Sequence, residues 1–570
     1  MATVLFPDFE PDLSDIGTDL SSLISGVVPR RDGYGPFQDF VDFTQALPAD
    51  CRGFFFARRS DGSIAVFAGT ATRLYLLDNT TFTWGDVSKG GAAYSGLTSD
   101  ANWRFAQFND FVLAVQANTV PQKYVLTAGP TFIDLGGSPP QSAHIAIVNR
   151  FVMLTGLLSN ARRVQWSDLD GPETWTAGVG LSDFQDLPDG GSAHQVSGGD
   201  AYGVVFQDEA IRTLTYAPGS AAIFQITRIS TQDTLFAQYG VVNAGTRTFF
   251  ISAQGFKVIV SGGEPVPIGK DRVDRFFFDD VDRSNLQLVI AAADPQATRV
   301  YWAYKSLGGQ AGLFDKILCF DWSVGKNGKW TLIPMSGKYL GYLAKPGLTL
   351  EQLDSIAPGK LTVLGAANNG SGAIRLTLDA VSNAQYQIAG QNFIVVYGVT
   401  GTTEANGTWK VTIIDPTHID LIGSTFVHAY VSGGNIGGSL DALPFSLDSI
   451  STSAIAQLAA VGPTNKLGFF NGPNIEALLE TGEQDGEGVM AFVDTVRPVT
   501  DCAAALISLG HRATAQASMT YTSESALNIF GAANFTIEDR YIKARLRAPY
   551  GAVWTYARGV QPVADAAGVM

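Results

Sequence analysis

The sequence predicts an all-β protein. The expected architecture is an irregular β-propeller of about six blades, a β-rich platform from the N- and C-terminal segments, and an inserted small β-barrel or sandwich domain. Three observations predict it. Hydrophobic residues make up 46% of the chain and charged residues 16%, with 62 glycines, a balance that suits turn-rich β structure better than helical bundles. Strand-like runs recur at intervals of about 37 to 51 residues, near the period of a four-stranded blade. Each run is followed by a hairpin whose loop is built from Asn, Asp, Gly and Pro, residues that reach positive φ or preset a turn. With 570 residues, the chain is too long for one compact core, so several domains or one large repeat fold are expected.

The N-terminal segment, residues 1–55, reads as an acidic arm or platform. Its first 50 residues hold nine acidic side chains against Arg30 and Arg31, and the run "EPDLSD" (Glu10, Asp12, Asp15) reads as solvated surface. The start "MATVLFPDFEPDLSD" has no basic region, and no apolar run approaches about 18 residues, so a soluble protein made in a cytoplasm is expected. Cys51, Cys319 and Cys502 are odd in number and far apart, which indicates free buried thiols rather than a disulfide framework or zinc knuckle. The net charge of −15 disfavours binding to a phosphate backbone through counterion release.

Residues 56–345 carry the repeat. Strand runs are expected at "AVFAG" from Ala65, "FVLAV" from Phe111, "FVMLT" from Phe151, "YGVVF" from Tyr202, "TFFIS" from Thr248 and "RVYWAY" from Arg299. A second series follows in step: "LYLLDNTTFTW" from Leu74, "KYVLTAGPTFIDL" from Lys123, "VQWSDLDGPETW" from Val164, "TLTYAPGSAAIFQI" from Thr213, "KVIVSGGEPVPI" from Lys257 and "LCFDWSVGKNGKW" from Leu318. A preceding partner strand is visible in "WRFAQFND" and "AHIAIVNR". A sandwich also spaces its strands evenly, but the six matched hairpins favour a propeller. The stretch 343–360 breaks the pattern as a linker with a short helical piece. Residues 361–438 read as an inserted domain of about five short strands. Residues 439–570 are again β-rich; "LGFFNGPNIEALLETGEQ" matches the pattern near residue 65, so the two chain ends are expected to complete a blade or platform jointly.

The chemistry-bearing motifs are sparse. There is no G-x-S-x-G elbow, P-loop or H-E-x-x-H pair in the sequence. His144, His194, His418, His428 and His511 are scattered, whereas a zinc site needs convergent ligands. In "VQWSDLDGPETW", Asp168, Asp170 and Glu173 beside Gly171 raise three readings: a partial calcium loop, a sugar subsite, or the Asp-box turn of sialidase-like propellers. The calcium frame lacks its third spaced oxygen and its distal Glu. The Asp-box spacing is kept by Asp170, Thr174 and Trp175, with Gly171 one place early and Asp168 in place of Ser/Thr. That turn is a structural corner whose Asp accepts backbone N–H bonds, with Trp166 and Trp175 packing between blades. The acids Asp279, Asp280 and Asp282 of "FFFDDVD" read as solvated surface. No catalytic, cofactor-binding or metal-ligating residue is assigned.

Several phrases, taken in order, resemble the tail nozzle proteins of short-tailed bacteriophages, also called tail tubular protein B or packaged-DNA stabilisation proteins. They are "VPRRDGYGPFQDF", "FNDFVLAV", "QWSDLDGPETW", "DRVDRFFFDD", "VIAAADPQATRVYWAY", "KLGFFNGPNIEALLETGE" and "RYIKARLRAPYGAVWTYARGV". The inserted "GTTEANGTWKVTIIDPTHIDL" looks like the small β domain of ubiquitin-activating enzymes, without their catalytic Cys or adenylation motifs. The resemblance implies a structural virion protein and no enzyme. It would be a homohexamer at the distal end of a short tail, docked on the adaptor or tail-tube ring, with tail fibres or spikes as neighbours. It would retain the packaged genome and conduct double-stranded DNA at ejection, without sequence-specific binding. An acidic lumen would let DNA slide without sticking. The alternatives are a receptor-binding or fibre-attachment propeller and a sialidase-like glycosidase.

Overall fold

A computed structural model describes residues 3–16, 20–79, 81–220, 222–344, 361–379, 394–437, 455–485 and 489–569. The fold is nearly all β. Six consecutive four-stranded antiparallel units run from Phe54–Arg58 at the start of blade 1 to Lys329–Gly337 at the end of blade 6. The expected runs are the second strands of these units, for example Phe111–Gln116, Phe151–Leu157 and Arg299–Tyr304. The expected hairpins are the corners between third and fourth strands in all six. A meander of this kind needs only short turns, which is why the period survives in the sequence.

A seventh four-stranded sheet closes the ring. Its strands are Tyr339–Ala344, Ala456–Val461, Lys466–Asn474 and, from the other end of the chain, Gln38–Ala46. Tyr339–Ala344 packs against the first strands of blades 6 and 1, Ile290–Ala293 and Phe54–Arg58. This is the joint N- and C-terminal blade that the sequence leads one to expect, and it brings the number of blades to seven.

Apolar clusters seal the faces between blades. Phe67, Trp103 and Tyr124 join blades 1 and 2, and Leu113, Ile145 and Trp175 join 2 and 3. Phe151, Trp166 and Phe224 join 3 and 4, and Phe206, Phe250 and Ile259 join 4 and 5. Phe249, Trp302 and Trp330 link blades 5 and 6 to the platform. Tyr301, Leu340 and Phe54 close 6 onto 7 and 7 onto 1. Fully burying one large aliphatic or aromatic side chain contributes about 1.5–3 kcal/mol, so these faces dominate the stability of the ring. Cys51, Cys319 and Cys502 are free and buried, as expected; burial pushes the Cys51 and Cys319 thiols up to about 12.

The platform grows from blade 6. Lys329–Gly337 continues in parallel through Leu332↔Ser25 to Ile24–Ser25, then to Ala477–Glu480, Tyr541–Ala548 and Leu506–Arg512. A second sheet pairs Ala533–Asp539, Val489–Thr500, Ala557–Val569, Gly33–Pro36 and Val27–Arg30, with Val4–Leu5 on Ala557–Val569. Both chain ends therefore share both sheets.

Residues 361–379 and 394–437 form a closed six-stranded barrel with its own core of Leu361, Ile374, Leu376, Ile394, Ile419 and Leu421. Strand Gly407–Asp415 alternates inward and outward along its whole length, as barrel closure requires. The barrel interrupts blade 7 between strands that pair directly, Ala344 opposite Ala456. An insertion that leaves and returns at one point disturbs its host little. The linker expected over 343–360 begins later than expected, because Leu343 and Ala344 end a strand of blade 7; residues 345–360, and 439–450, whose sequence echoes them, lie outside the described residues.

The acidic arm is not the solvated surface expected. Glu10 accepts from Arg272 Nε at 2.5 Å, and Asp15 accepts from Lys543 Nζ at 3.2 Å. Asp12 accepts from Arg275 N at 2.8 Å and Phe276 N at 2.7 Å. Those amides open the helix Asp274–Asp280, whose N-cap Val273 offers no side-chain acceptor. Orphan amides at a helix start need a partner, and here it comes from 263 and 264 positions upstream in sequence. Asp280 and Asp282 are likewise partnered, the first by Tyr304 and Lys316 and the second by Lys305, while Asp279 is exposed.

Candidate functional site

The corner "VQWSDLDGPETW" joins the third and fourth strands of blade 3, Arg163–Trp166 and Asp183–Asp186. Its three carboxylates diverge. Asp168 accepts from Leu169 N at 2.8 Å and Leu181 N at 2.7 Å, tying both ends of the connection. Asp170 stands at φ 56° and is held by Arg150 Nε at 2.7 Å. Glu173 accepts from Lys123 Nζ at 2.7 Å and Gly136 N at 3.1 Å, on blade 2. The Asp-box comparison thus needs one correction: Asp168, not Asp170, organises the backbone, because the early Gly171 shifts the turn. Trp166 Nε1 donates to Leu181 O at 3.0 Å and Trp175 Nε1 to Pro172 O at 2.8 Å. Their indoles fill the two opposite faces of blade 3, as expected. With each acid satisfied by a separate partner, the corner presents no convergent oxygens.

The histidines stay apart in the fold. His194, His418, His428 and His511 each face a different carboxylate: Asp208, Asp415, Glu404 and Asp539. Among the described residues no three His, Cys, Asp or Glu side chains gather as metal ligands.

A buried polar cluster that no sequence motif marks lies between the first strands of the blades. Tyr239, in the segment leading into blade 5, is 2% exposed. Its hydroxyl accepts from Asn102 N at 2.8 Å, and its carbonyl accepts from Ala291 N at 2.9 Å. Its ring lies 5.7 Å from that of His144 and 5.7 Å from the Arg104 guanidinium. Gln238 Oε1 lies 3.1 Å from His144 Nε2. The tyrosine is thus buried among residues of blades 2, 3 and 6, which stand on opposite sides of the seven-blade ring. Burial, helped by Arg104, pushes His144 down to about 3 and keeps the ring neutral; burial also pushes Tyr239 up to about 12. Neither group changes its protonation state near neutral pH, so the pair is not poised for general acid–base chemistry there.

A second cluster welds the chain ends. Glu480, 2% exposed, accepts from Lys543 at 2.9 Å, Arg545 at 2.6 Å and Tyr521 at 2.7 Å. Glu483, 1% exposed, pairs with Arg512 at 2.6 Å and donates its backbone N–H to Asp15 O at 2.9 Å. Breaking a buried pair is strongly destabilising because it strands a charge, so this network fixes the arm to the platform.

No helix among the described residues is long and apolar enough to cross a membrane. No protein-family model matches the chain, and no curated protein does. Solved structures that it resembles include β-propellers of low identity. A quinoprotein alcohol dehydrogenase-like protein from Bacteroides thetaiotaomicron is 13% identical with a TM-score of 0.30, over 50% of this chain and 65% of that one. The Swd1 β-propeller domain of Myceliophteria thermophila is 10% identical with a TM-score of 0.28, over 48% and 97%. Kluyveromyces lactis Hsv2 is 8% identical with a TM-score of 0.29, over 67% and 98%. The chain's own succession of four-stranded sheets, and not these distant likenesses, makes the fold a β-propeller.

Proposed function

We propose that this protein is a structural subunit of a short phage tail, a homohexameric nozzle that retains packaged double-stranded DNA and conducts it during ejection. One observation supports the reading above the others: several of the dispersed phrases that resemble nozzle proteins, far apart in sequence, pair with one another in the platform and the adjoining seventh blade. The hairpin of "VPRRDGYG" pairs with "TYARGV" through Tyr34↔Ala557. Its continuation "PFQDF" pairs with "KLGFFNGPN" through Phe40↔Phe470. "ALLE" pairs with "ARLRA" through Leu479↔Leu546, and Arg299 of "ATRVYWAY" donates to Pro29 O at 3.1 Å.

Tyr239 is buried among blades 2, 3 and 6 of each ring, and the reading therefore gives DNA no route through a single propeller. The conduit of a nozzle must then lie between subunits, and the net charge of −15 would keep its wall from gripping phosphates. Docking on an adaptor or tail-tube ring, and fibres or spikes as lateral neighbours, belong to the same proposal. Immunogold labelling of virions with antibody against this chain tests it: the proposal expects label at the distal tip of the tail. Virions that carry no label, or label confined to the fibre ends, would overturn it.

A further inference from the structure

The hairpin Val27–Arg30/Gly33–Pro36 ends in a tight turn, Arg31-Asp32, with Arg30 opposite Gly33. Two cavities flank this tip. One, of about 640 Å³, is lined by Arg30, Arg31, Arg299 and Asp321 among others; the second, of about 550 Å³, by Arg31, Asp32, Lys329 and Arg558 among others. Arg31 lines both, so they adjoin. Five cations therefore face two carboxylates in a chain whose net charge is −15. Asp321 pairs with Arg299 at 3.1 Å, and Lys329 pairs with Asp8 at 3.0 Å. Arg30, Arg31 and Arg558 are exposed and make no ion pair among the described residues.

The tip is held rigid from several sides. Pro29 O accepts from Arg299, and Tyr34 Oη donates to Pro7 O at 2.6 Å. Gly33, at φ 147°, lies so close to Ala557 O that a Cβ there would collide with it, which seats the turn on the strand carrying Arg558. The planar fork of each guanidinium matches the paired oxygens of an oxyanion, and a turn whose backbone is already held loses less freedom on binding.

We propose that this twin cavity is an anion site that takes consecutive phosphates of a nucleic-acid backbone, with Arg30, Arg31 and Arg558 as the contacting groups. It goes beyond ring assembly: an acidic particle keeps one local grip on DNA while the rest of its surface repels it. Contacts of this type carry no sequence preference and weaken steeply with salt.

The test is fluorescence anisotropy of a labelled duplex of arbitrary sequence with the full-length protein across a salt series. A triple variant, Arg30→Ser, Arg31→Ser and Arg558→Ser, is compared with wild type, with inorganic phosphate as competitor. The wild type should bind, phosphate should displace the duplex, and the variant should show a salt slope shallower by about 3, close to one per lost phosphate contact. If the triple variant fails to fold, Arg31→Glu alone, at the exposed tip, should abolish binding with an unchanged unfolding midpoint. Equal binding by wild type and variants would overturn the proposal, as would a site that takes inorganic phosphate but not duplex. Because the assay needs no ring, its outcome is separable from that of tail labelling.

Discussion

Replacing Asp168 by alanine separates a structural corner from a ligand site. Its carboxylate accepts two backbone N–H groups, at 2.8 and 2.7 Å, and hydrogen bonds to a charged partner contribute about 1.5–3 kcal/mol each. Partial rehydration of the freed amides offsets some of that loss, so Asp168→Ala should cost about 2–4 kcal/mol. Asp170 makes an exposed ion pair with Arg150, worth about 0.2–1 kcal/mol. Asp170→Gly keeps the left-handed backbone open at φ 56° and should cost no more than that pair. Urea unfolding followed by tryptophan fluorescence reads the difference, because Trp166 and Trp175 flank this blade. Equal midpoints for the two variants would refute the assignment of Asp168 as the organiser. So would an Asp168→Ala protein of unchanged stability that had lost a measurable calcium affinity.

Three further outcomes follow from the same structure. Asp12→Ala removes the acceptor for Arg275 N and Phe276 N, so it should cost about 1 kcal/mol and speed hydrogen exchange in Asp274–Asp280. Asp274 is raised from 3.8 to about 6, first by burial, against the opposing Phe256 N–H, and further by the Asp12 charge. A raised carboxylate favours the native state while protonated, so its contribution is lost as pH rises from about 4 through about 6. Asp274→Asn should therefore flatten the unfolding midpoint between pH 4 and 7.5, and a midpoint as pH-dependent as wild type would contradict this. Glu480→Ala leaves Lys543 with Asp15 alone and takes the carboxylate from Arg545; a loss of about 3 kcal/mol, the low end for a broken buried pair, is expected as a fall in the denaturant midpoint.

The blades were legible because each is local: a strand, a turn and its neighbour lie within one short stretch, and turn residues mark the boundaries. The seventh blade was legible only in outline. Its strand Gln38–Ala46 pairs with Lys466–Asn474 across more than 400 residues, and no period connects such segments. Glu10, Asp12 and Asp15 looked solvated because a charge run shows its sign but not its partners, which are Arg272, the helix start at 275–276, and Lys543. Asp170 was given the role of Asp168 because template spacing fixes positions, while the early glycine decides which carboxylate reaches the amides. Tyr239 carried no signal, since a tyrosine in a short polar segment looks the same whether it caps a loop or is buried among three blades. The cations of the Arg30–Arg31 tip were visible as letters, but their meeting with Lys329 and Arg558 is a product of the platform sheets.

The central claim is a ring of subunits whose conduit runs between propellers and not through them. Single-particle electron microscopy of the purified full-length protein, with the tail-tube ring protein present, tests it most directly. The account predicts a six-fold ring with a central lumen and, in every subunit, density for Tyr239 across a closed propeller axis. A stable monomer under those conditions, or an open axis threaded by DNA, would contradict it.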